Sequence, residues 1–446
     1  MAKLFPFRGI IYNTKKIKNA SKVMSPPYDV ISPEEQDALY QSNDFNVIRL
    51  ILGKDFPGDG EYNNKYVRAS AFLNGWLRHR ILLRDEKPAF YLYEQKFTAR
   101  GKTFSRIGFT GLLRLEDLGK GKVFPHEETY PKAKIDRLQL YRATHSFFES
   151  IFALYSDEKM KVIRAMKPFM KRKPLIEAKD KDGVVHRLWR IDRKPVILKI
   201  VQEMRDKAIF IADGHHRYEA ALRFKDELKL KNTKFTEEEA YNHIMMYFTP
   251  LEEKGLIVLP IHRAIRHLPF YDPERFEQDL AIYFEVKPYP ASKKTSPQVR
   301  KRLMKELEKI GQTKHAFGLY LGHHRYFLLT LRDENVMDDL VTDDRPKAWK
   351  RLDVTILQYV VIDRLLNISQ ETEDKIIYTK SDEEAIKLVD EKGCNMAFLL
   401  NATKIDEIVS ISSKLDKLPH KSTYFYPKLL SGLVMHKFDH AEKVKL

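Results

Sequence analysis

At 446 residues the chain exceeds what one hydrophobic core fills, since single cores stop growing at about 250–300 residues, so two or three domains are expected. Hydrophobic residues at 43% and charged residues at 32% exclude wholesale disorder, and a single cysteine, Cys394, excludes a disulfide framework or a multi-cysteine zinc site. A formal charge of +17 favours anionic partners, whether nucleotides, phosphorylated metabolites or nucleic acid, without choosing among them.

The opening segment has no apolar run long enough for a secretory signal, and nowhere do about 18 apolar residues follow one another, so a cytoplasmic chain without membrane contact is expected. The densest basic run, Lys167 to Lys173, contains Pro168 and ends against Pro174. A solvated face accounts for it more simply than a nucleic-acid groove.

In chain order, Gly9–Tyr12, Ser25–Ile31 and Asn46–Leu52 read as short β-rich pieces between turns, with Pro26 and Pro27 holding an extended backbone. Val67, Ala71, Phe72, Trp76 and Leu77 fall at helical spacing and predict a helix over 64–80. Strands are predicted over 89–97 and 107–115, a helix over 135–150, a strand over 151–155 and a basic helix from about Asp157. Further on, 196–206 is predicted helical and Ala208–Ile211 is a buried strand. Tyr218, Ala221, Leu222 and Leu228 mark an amphipathic helix, and 242–248 and 256–259 read as strands.

The Pro- and Ser-rich stretch 288–299 predicts a loop, and a boundary is drawn there between an α+β domain, 1–290, and a C-terminal α/β portion, 291–446. After it come a charged helix over 298–310, a hairpin formed by 315–321 and 326–331, and a helix over 353–366. The fold class is α+β, with mixed sheets and packed helices.

The predicted strand ending at Ile211 meets the predicted helix at Asp213-Gly214-His215-His216-Arg217. A helix start exposes unpaired N–H groups and partial positive charge, which holds phosphate. Gly214 permits close backbone approach, His215 and His216 can donate hydrogen bonds, and Arg217 offers a planar fork for two phosphate oxygens. Asp213 is electrostatically wrong for simple anion binding. It is expected to cap the helix, to hold a divalent cation such as Mg²⁺, or to take a proton from an attacking hydroxyl.

His323-His324-Arg325-Tyr326 repeats the His-His-Arg-Tyr order with no acid and with strands on both sides, so it predicts only a hairpin tip. The loop His126-Glu127-Glu128-Thr129, followed by Lys132, Lys134, Asp136 and Arg137, is a second polar concentration. It reads either as a supplier of a carboxylate base and cations or as a capped helix start. Asp29 at the Pro-Pro turn and His262-Arg263 beyond a strand are supporting candidates. A metal site drawn from His126, Glu127, His215 and His262 finds no support in spacing.

Ser25-Pro-Pro-Tyr-Asp-Val-Ile31, His126-Glu-x-Thr129, Ala212-Asp-Gly-His-His-Arg-Tyr-Glu219, Pro260-x-His-Arg263 and Lys421-Ser-Thr-Tyr-Phe-Tyr-Pro-Lys428 together resemble the domain-of-unknown-function family 1015 of bacteria and archaea. Within that set, the Asp-Gly-His-His-Arg element resembles the phosphate-binding motif of the ParB/sulfiredoxin superfamily. This implies that Gly214, His215, His216 and Arg217 cradle the phosphates of ATP or ADP. Asp213, His216 and Glu127 are the candidate catalytic groups. The implied activity is nucleotide-dependent phosphoryl transfer to a small hydroxyl metabolite such as serine or phosphoserine. The alternative is a ParB-type protein that binds in response to nucleotide or nucleic acid.

Overall fold

The structure is a computed structural model that describes residues 3–99, 101–268, 271–368, 374–439 and 441–446. It divides into two compact units: residues 1–257 with 427–446, and residues 258–426. Pro290, where the sequence suggested a boundary, instead closes the strand Phe284–Pro290 of the second unit's sheet. Among the described residues no helix is long and apolar enough to cross a membrane.

The first unit is built on a nine-stranded mixed sheet. Its central strands, Ile151–Tyr155 and His243–Pro250, are buried at every position. Continuous apolar runs of this kind belong to strands covered on both faces. The long hairpin Phe90–Ala99 and Lys102–Arg114 extends the sheet. Ile176–Lys179 and Val185–Ile191, which short alternation did not reveal in the sequence, complete that edge.

The predicted helix over 64–80 forms as Lys65–Arg78, its start fixed by Asn64, whose side chain accepts from the Tyr66 and Val67 N–H groups. Segment 46–52 departs from its β-rich expectation. Asn46 Oδ1 accepts the Ile48 N–H at 2.9 Å, and this Asx-type turn leads into the short helix Ile48–Ile51, so a local side-chain hydrogen bond overrides the β-branched composition.

The second unit carries a six-stranded antiparallel sheet, in spatial order Phe284–Pro290, Arg325–Leu331, Ala316–Tyr320, Cys394–Leu399, His262–Arg266 and Ile376–Thr379. Leu303 and Leu307 of the helix Ser296–Ile310 pack on it with Tyr320, Leu328 and Leu399. His323 and His324 both take positive φ at the turn between Ala316–Tyr320 and Arg325–Leu331, so the second His-His-Arg sequence is a hairpin tip.

Near its end the chain returns to the first unit, where His436 pairs with Phe147. His436 is 2% exposed among the rings of Phe7, Phe147 and Phe438, and neither ring nitrogen has a hydrogen-bond partner among the described residues. Burial, reinforced by the Arg84 charge, holds its pKa down at about 3 against an ordinary 6.5. The unfolded chain therefore binds a proton that the folded one refuses. The stability tied to His436 is complete above about pH 6.5 and declines as pH falls towards 3. His436→Phe is expected to flatten the melting-temperature profile in this window and to remove a penalty of about 3 kcal/mol at about pH 4. Parallel pH dependence in mutant and wild type would contradict this.

Candidate functional site

The sheet brings three segments to one edge. Ile209 and Phe210 pair in parallel with Val123 and Phe124, so the chain leaves both strands in the same direction, into the turn at 213–216 and into the loop at 125–130. Ile151–Tyr155 runs antiparallel to the first of these strands, which places Glu149 and Ser150, just before it, at the same edge. A register shift between Ile211 and Asp213 marks a bulge that re-aims the end of the strand.

Gly214 has φ +96° and starts the helix His215–Lys231 with no side-chain cap. A Cβ at this position would lie 2.7 Å from Arg217 Nη2, so glycine is required by the backbone angle and by space together. The close approach reflects how Arg217 is placed. It is 3% exposed, Nη1 donates to the Ser150 carbonyl at 2.8 Å, and Nη2 donates to Asp213 Oδ2 at 3.0 Å. Burial acts to lower its pKa, but the carboxylates of Glu149, Asp213 and Asp29 outweigh it and hold the guanidinium above its usual range. The fork that the sequence offers to two phosphate oxygens here donates to the Ser150 carbonyl and to Asp213.

Asp213 accepts from Lys428 Nζ at 2.5 Å through its other oxygen. Burial acts to raise the carboxyl, yet Lys428 and Arg217 prevail and hold it below the usual carboxylate range. Asp213 is thus saturated by two cations of the chain. Among the described residues no three His, Cys, Asp or Glu side chains gather into a metal-ligand set. The side chains present do not fit a resident divalent cation at Asp213.

Asp29 keeps solvent exposure on the one-turn helix Tyr28–Val30. Although the residue as a whole is exposed, the surrounding site desolvates its carboxyl, and this with the Asp213 charge pushes the carboxyl above the usual range, against the pull of Lys428 and Arg217. Two carboxylates that feel each other here thus move in opposite directions, a pattern that separates a charge anchor from a proton acceptor. The turn bearing Asp29 is itself fixed. The Tyr28 N–H donates to Glu149 Oε1 at 3.0 Å, and the Tyr28 ring lies 3.8 Å from the Arg137 guanidinium carbon. Arg137 is 2% exposed, with Nη2 donating to the Ile51 carbonyl at 2.8 Å and Nε to Asp136 at 2.9 Å.

The histidines hold the neighbouring loop. His215 Nε2 accepts the His126 N–H at 3.2 Å, and Glu127 Oε2 lies 3.4 Å from His215 Nδ1. His216 Nε2 accepts the Tyr130 N–H at 2.9 Å, with the two rings stacked. Burial keeps His126 neutral, with a pKa of about 3, and lowers His216 as well. Glu219, one turn on, accepts from Thr129 Oγ1 and Lys134 Nζ. Both imidazoles accept backbone N–H groups rather than offering donors at the Nε2 positions.

Asp213, Gly214, His215, His216, Arg217, His126, Glu127, Asp29 and Arg137 therefore meet at one edge of the first unit. His262 and Arg263 belong to the second unit, inside the strand His262–Arg266, where His262 Nδ1 accepts the Leu400 N–H at 3.1 Å. Lys428, Glu149 and Tyr28 were not singled out in the sequence. Lys428 had a signal, as the last residue of the Lys421–Lys428 motif.

The model of the family described as "Protein of unknown function (DUF1015)" matches residues 4–355. The chain belongs to DUF1015. Solved structures similar to this DUF1015 chain include a conserved hypothetical protein from Pyrococcus furiosus, 13% identical with TM-score 0.31, covering 69% of this chain and 89% of that one. A free serine kinase in complex with AMP is 13% identical with TM-score 0.31, covering 68% and 83%. SbnI with C-terminal truncation from Staphylococcus aureus is 8% identical with TM-score 0.29, covering 72% and 81%. Likeness at these TM-scores carries no argument about what the DUF1015 chain binds. No curated protein matches it.

Proposed function

We propose that this chain is a nucleotide-dependent phosphotransferase acting on a small hydroxyl metabolite, with serine and phosphoserine as the first substrates to test. The observation that carries this reading is the charge cluster at an uncapped helix start: Asp213, bonded to Lys428 and Arg217, and beside it Asp29, whose carboxyl is raised by desolvation and by the Asp213 charge. The unpaired N–H groups at the start of the helix His215–Lys231 would receive a phosphate of ATP or ADP. Asp29 would accept the proton of the substrate hydroxyl as its oxygen bonds to phosphorus and the bond to the leaving phosphate breaks. Lys428 adds positive charge beside the transferred group, and Arg217, spent on Asp213 and Ser150, fixes the turn. Mg²⁺ belongs to this proposal only as a counter-ion carried on the nucleotide phosphates. The ParB/sulfiredoxin resemblance of the Asp-Gly-His-His-Arg turn supports the phosphate assignment.

Incubating the protein with ATP or ADP, Mg²⁺ and a pool of amino acids and sugars is expected to give nucleotide turnover and one phosphorylated product. Absence of both turnover and nucleotide binding would remove the proposal. DNA or RNA affinity that falls steeply with salt would move the assignment to the binding-protein alternative.

A further inference from the structure

Lys428 reaches Asp213 from a segment without regular structure, and its backbone is held by a buried polar face of the large sheet. Tyr93 and Gln95 alternate onto the same face of the strand Phe90–Ala99. Gln95 has two cross-strand neighbours, Arg106 on one side and His186 on the other. The three polar residues of this row, Gln95, Arg106 and His186, are each 0% exposed, an unusual concentration of polarity inside a sheet.

These side chains converge on the segment 427–430. Arg106 donates from Nε to Gln95 Oε1 at 3.1 Å and from Nη2 to the Pro427 carbonyl. Gln95 Nε2 donates to the Lys428 carbonyl at 2.8 Å, and the Leu430 N–H donates to Tyr93 Oη at 3.3 Å. Behind Tyr93 the bonds continue, with Oη 2.6 Å from His186 Nδ1 and His186 Nε2 3.1 Å from Asp180 Oδ2. With Tyr93 donating to Nδ1, the imidazole carries its proton on Nε2 and donates it in a hydrogen bond to Asp180, so Tyr93 and His186 each donate once and accept once, and Asp180 only accepts.

We propose that Tyr93, Gln95, Arg106 and His186 are positioning residues that hold the backbone of 427–430 so that the Lys428 ammonium stays on Asp213, where the transferred phosphate is bound. The assignment rests on the phosphotransferase reading for its purpose, but not for its geometry. Side-chain packing alone would not require three backbone groups of one short segment to be matched by three buried polar side chains. A buried polar network of this kind specifies one arrangement of the segment it grips, since any shift leaves several desolvated groups unpaired. A Lys side chain needs such a grip because its ammonium is a point charge on a flexible stem.

The test uses the full chain with two substitutions at one position and one at another. His186→Gln keeps an acceptor for Tyr93 and a donor for Asp180, whereas His186→Leu and Tyr93→Phe break the chain. Amide exchange at Leu430 and the rate of Lys428 acetylation by a small amine reagent, read by mass spectrometry, are measured beside kcat and KM. Tyr93→Phe and His186→Leu are expected to raise Leu430 exchange and Lys428 acetylation by about tenfold and to lower kcat by about tenfold with little change in KM, while His186→Gln stays near wild type. Should Tyr93→Phe fail to fold, the pair at His186 decides. Folded Tyr93→Phe and His186→Leu proteins with wild-type Leu430 exchange and Lys428 reactivity overturn the proposal. Altered exchange and reactivity in a protein whose wild type turns over no nucleotide would leave the grip in place and remove the phosphotransferase reading instead.

Discussion

Asp29→Asn is expected to lower turnover by about 10²- to 10⁴-fold, the usual contribution of a positioned general base, while nucleotide affinity stays within about threefold. The substitution keeps the size of the side chain and removes only its ability to take a proton. The fold should tolerate it, because Asp29 stands at the solvent edge of a turn already secured by the Tyr28 N–H on Glu149 and by the Tyr28 ring under Arg137. The pH profile gives a second readout. With its carboxyl raised by desolvation and by the Asp213 charge, wild-type activity should climb with pH through a value above the ordinary carboxylate range, as the base loses its proton. The residual activity of Asp29→Asn should lack that limb, and Asp29→Glu should restore part of it. A folded Asp29→Asn protein with wild-type kcat would take Asp29 out of the chemistry.

Asp213→Ala should be the most destabilising single change at the site, costing about 3–5 kcal/mol of the first unit's stability, because it strands a buried charge instead of deleting a pair. Arg217 is 3% exposed and would lose its closest carboxylate, keeping its hydrogen bond to the Ser150 carbonyl. Lys428 would lose its carboxylate as well. The pH dependence follows from the depressed carboxyl. The folded state gains from ionised Asp213 above the ordinary carboxylate range, and that gain is lost as pH falls through the lower folded value. The wild-type advantage over Asp213→Ala should therefore shrink in acid. Asp213→Asn, which keeps an acceptor for Arg217, should cost less than the alanine change. Denaturant titration of the three proteins at neutral and acid pH checks both statements, and equal stabilities at neutral pH would show that the buried pair contributes nothing net.

Much of the site could be read from the sequence because it is local. The apolar run before Asp213, the glycine and the periodic residues after it specify strand, turn and helix within a few positions. The structure adds the reason for Gly214, whose missing Cβ leaves room for Arg217. What local pattern could not supply was the direction of side chains. Arg217 reads as a phosphate fork in sequence, but only the strand at 151 places the Ser150 carbonyl where the guanidinium donates to it. His215 and His216 similarly became acceptors once parallel pairing brought the loop at 126–130 against them. The short helix at 48–51 was hidden by Val47, Ile48, Leu50 and Ile51, whose composition suits a strand, whereas the decisive atom is the Asn46 side-chain oxygen. The unit boundary was misplaced because a Pro- and Ser-rich stretch resembles a linker. The compact units divide at 257/258, within the short strand Ile257–Leu259, and at 426/427, at the end of the strand Tyr424–Tyr426.

Because residues 427–446 rejoin a unit whose other part ends at 257, the ammonium facing Asp213 is specified later in the message than every other member of the site. Synthesis proceeds from the N-terminus at about 5–20 residues per second, so Asp29, Glu149 and the turn at 213–217 leave the ribosome many seconds before Lys428 does. During that interval Asp213 has only Arg217 to neutralise it, and the polar row of Gln95, Arg106 and Tyr93 has no segment to grip. A chain released before residue 428 would therefore expose an unsealed polar seam in place of a finished cleft.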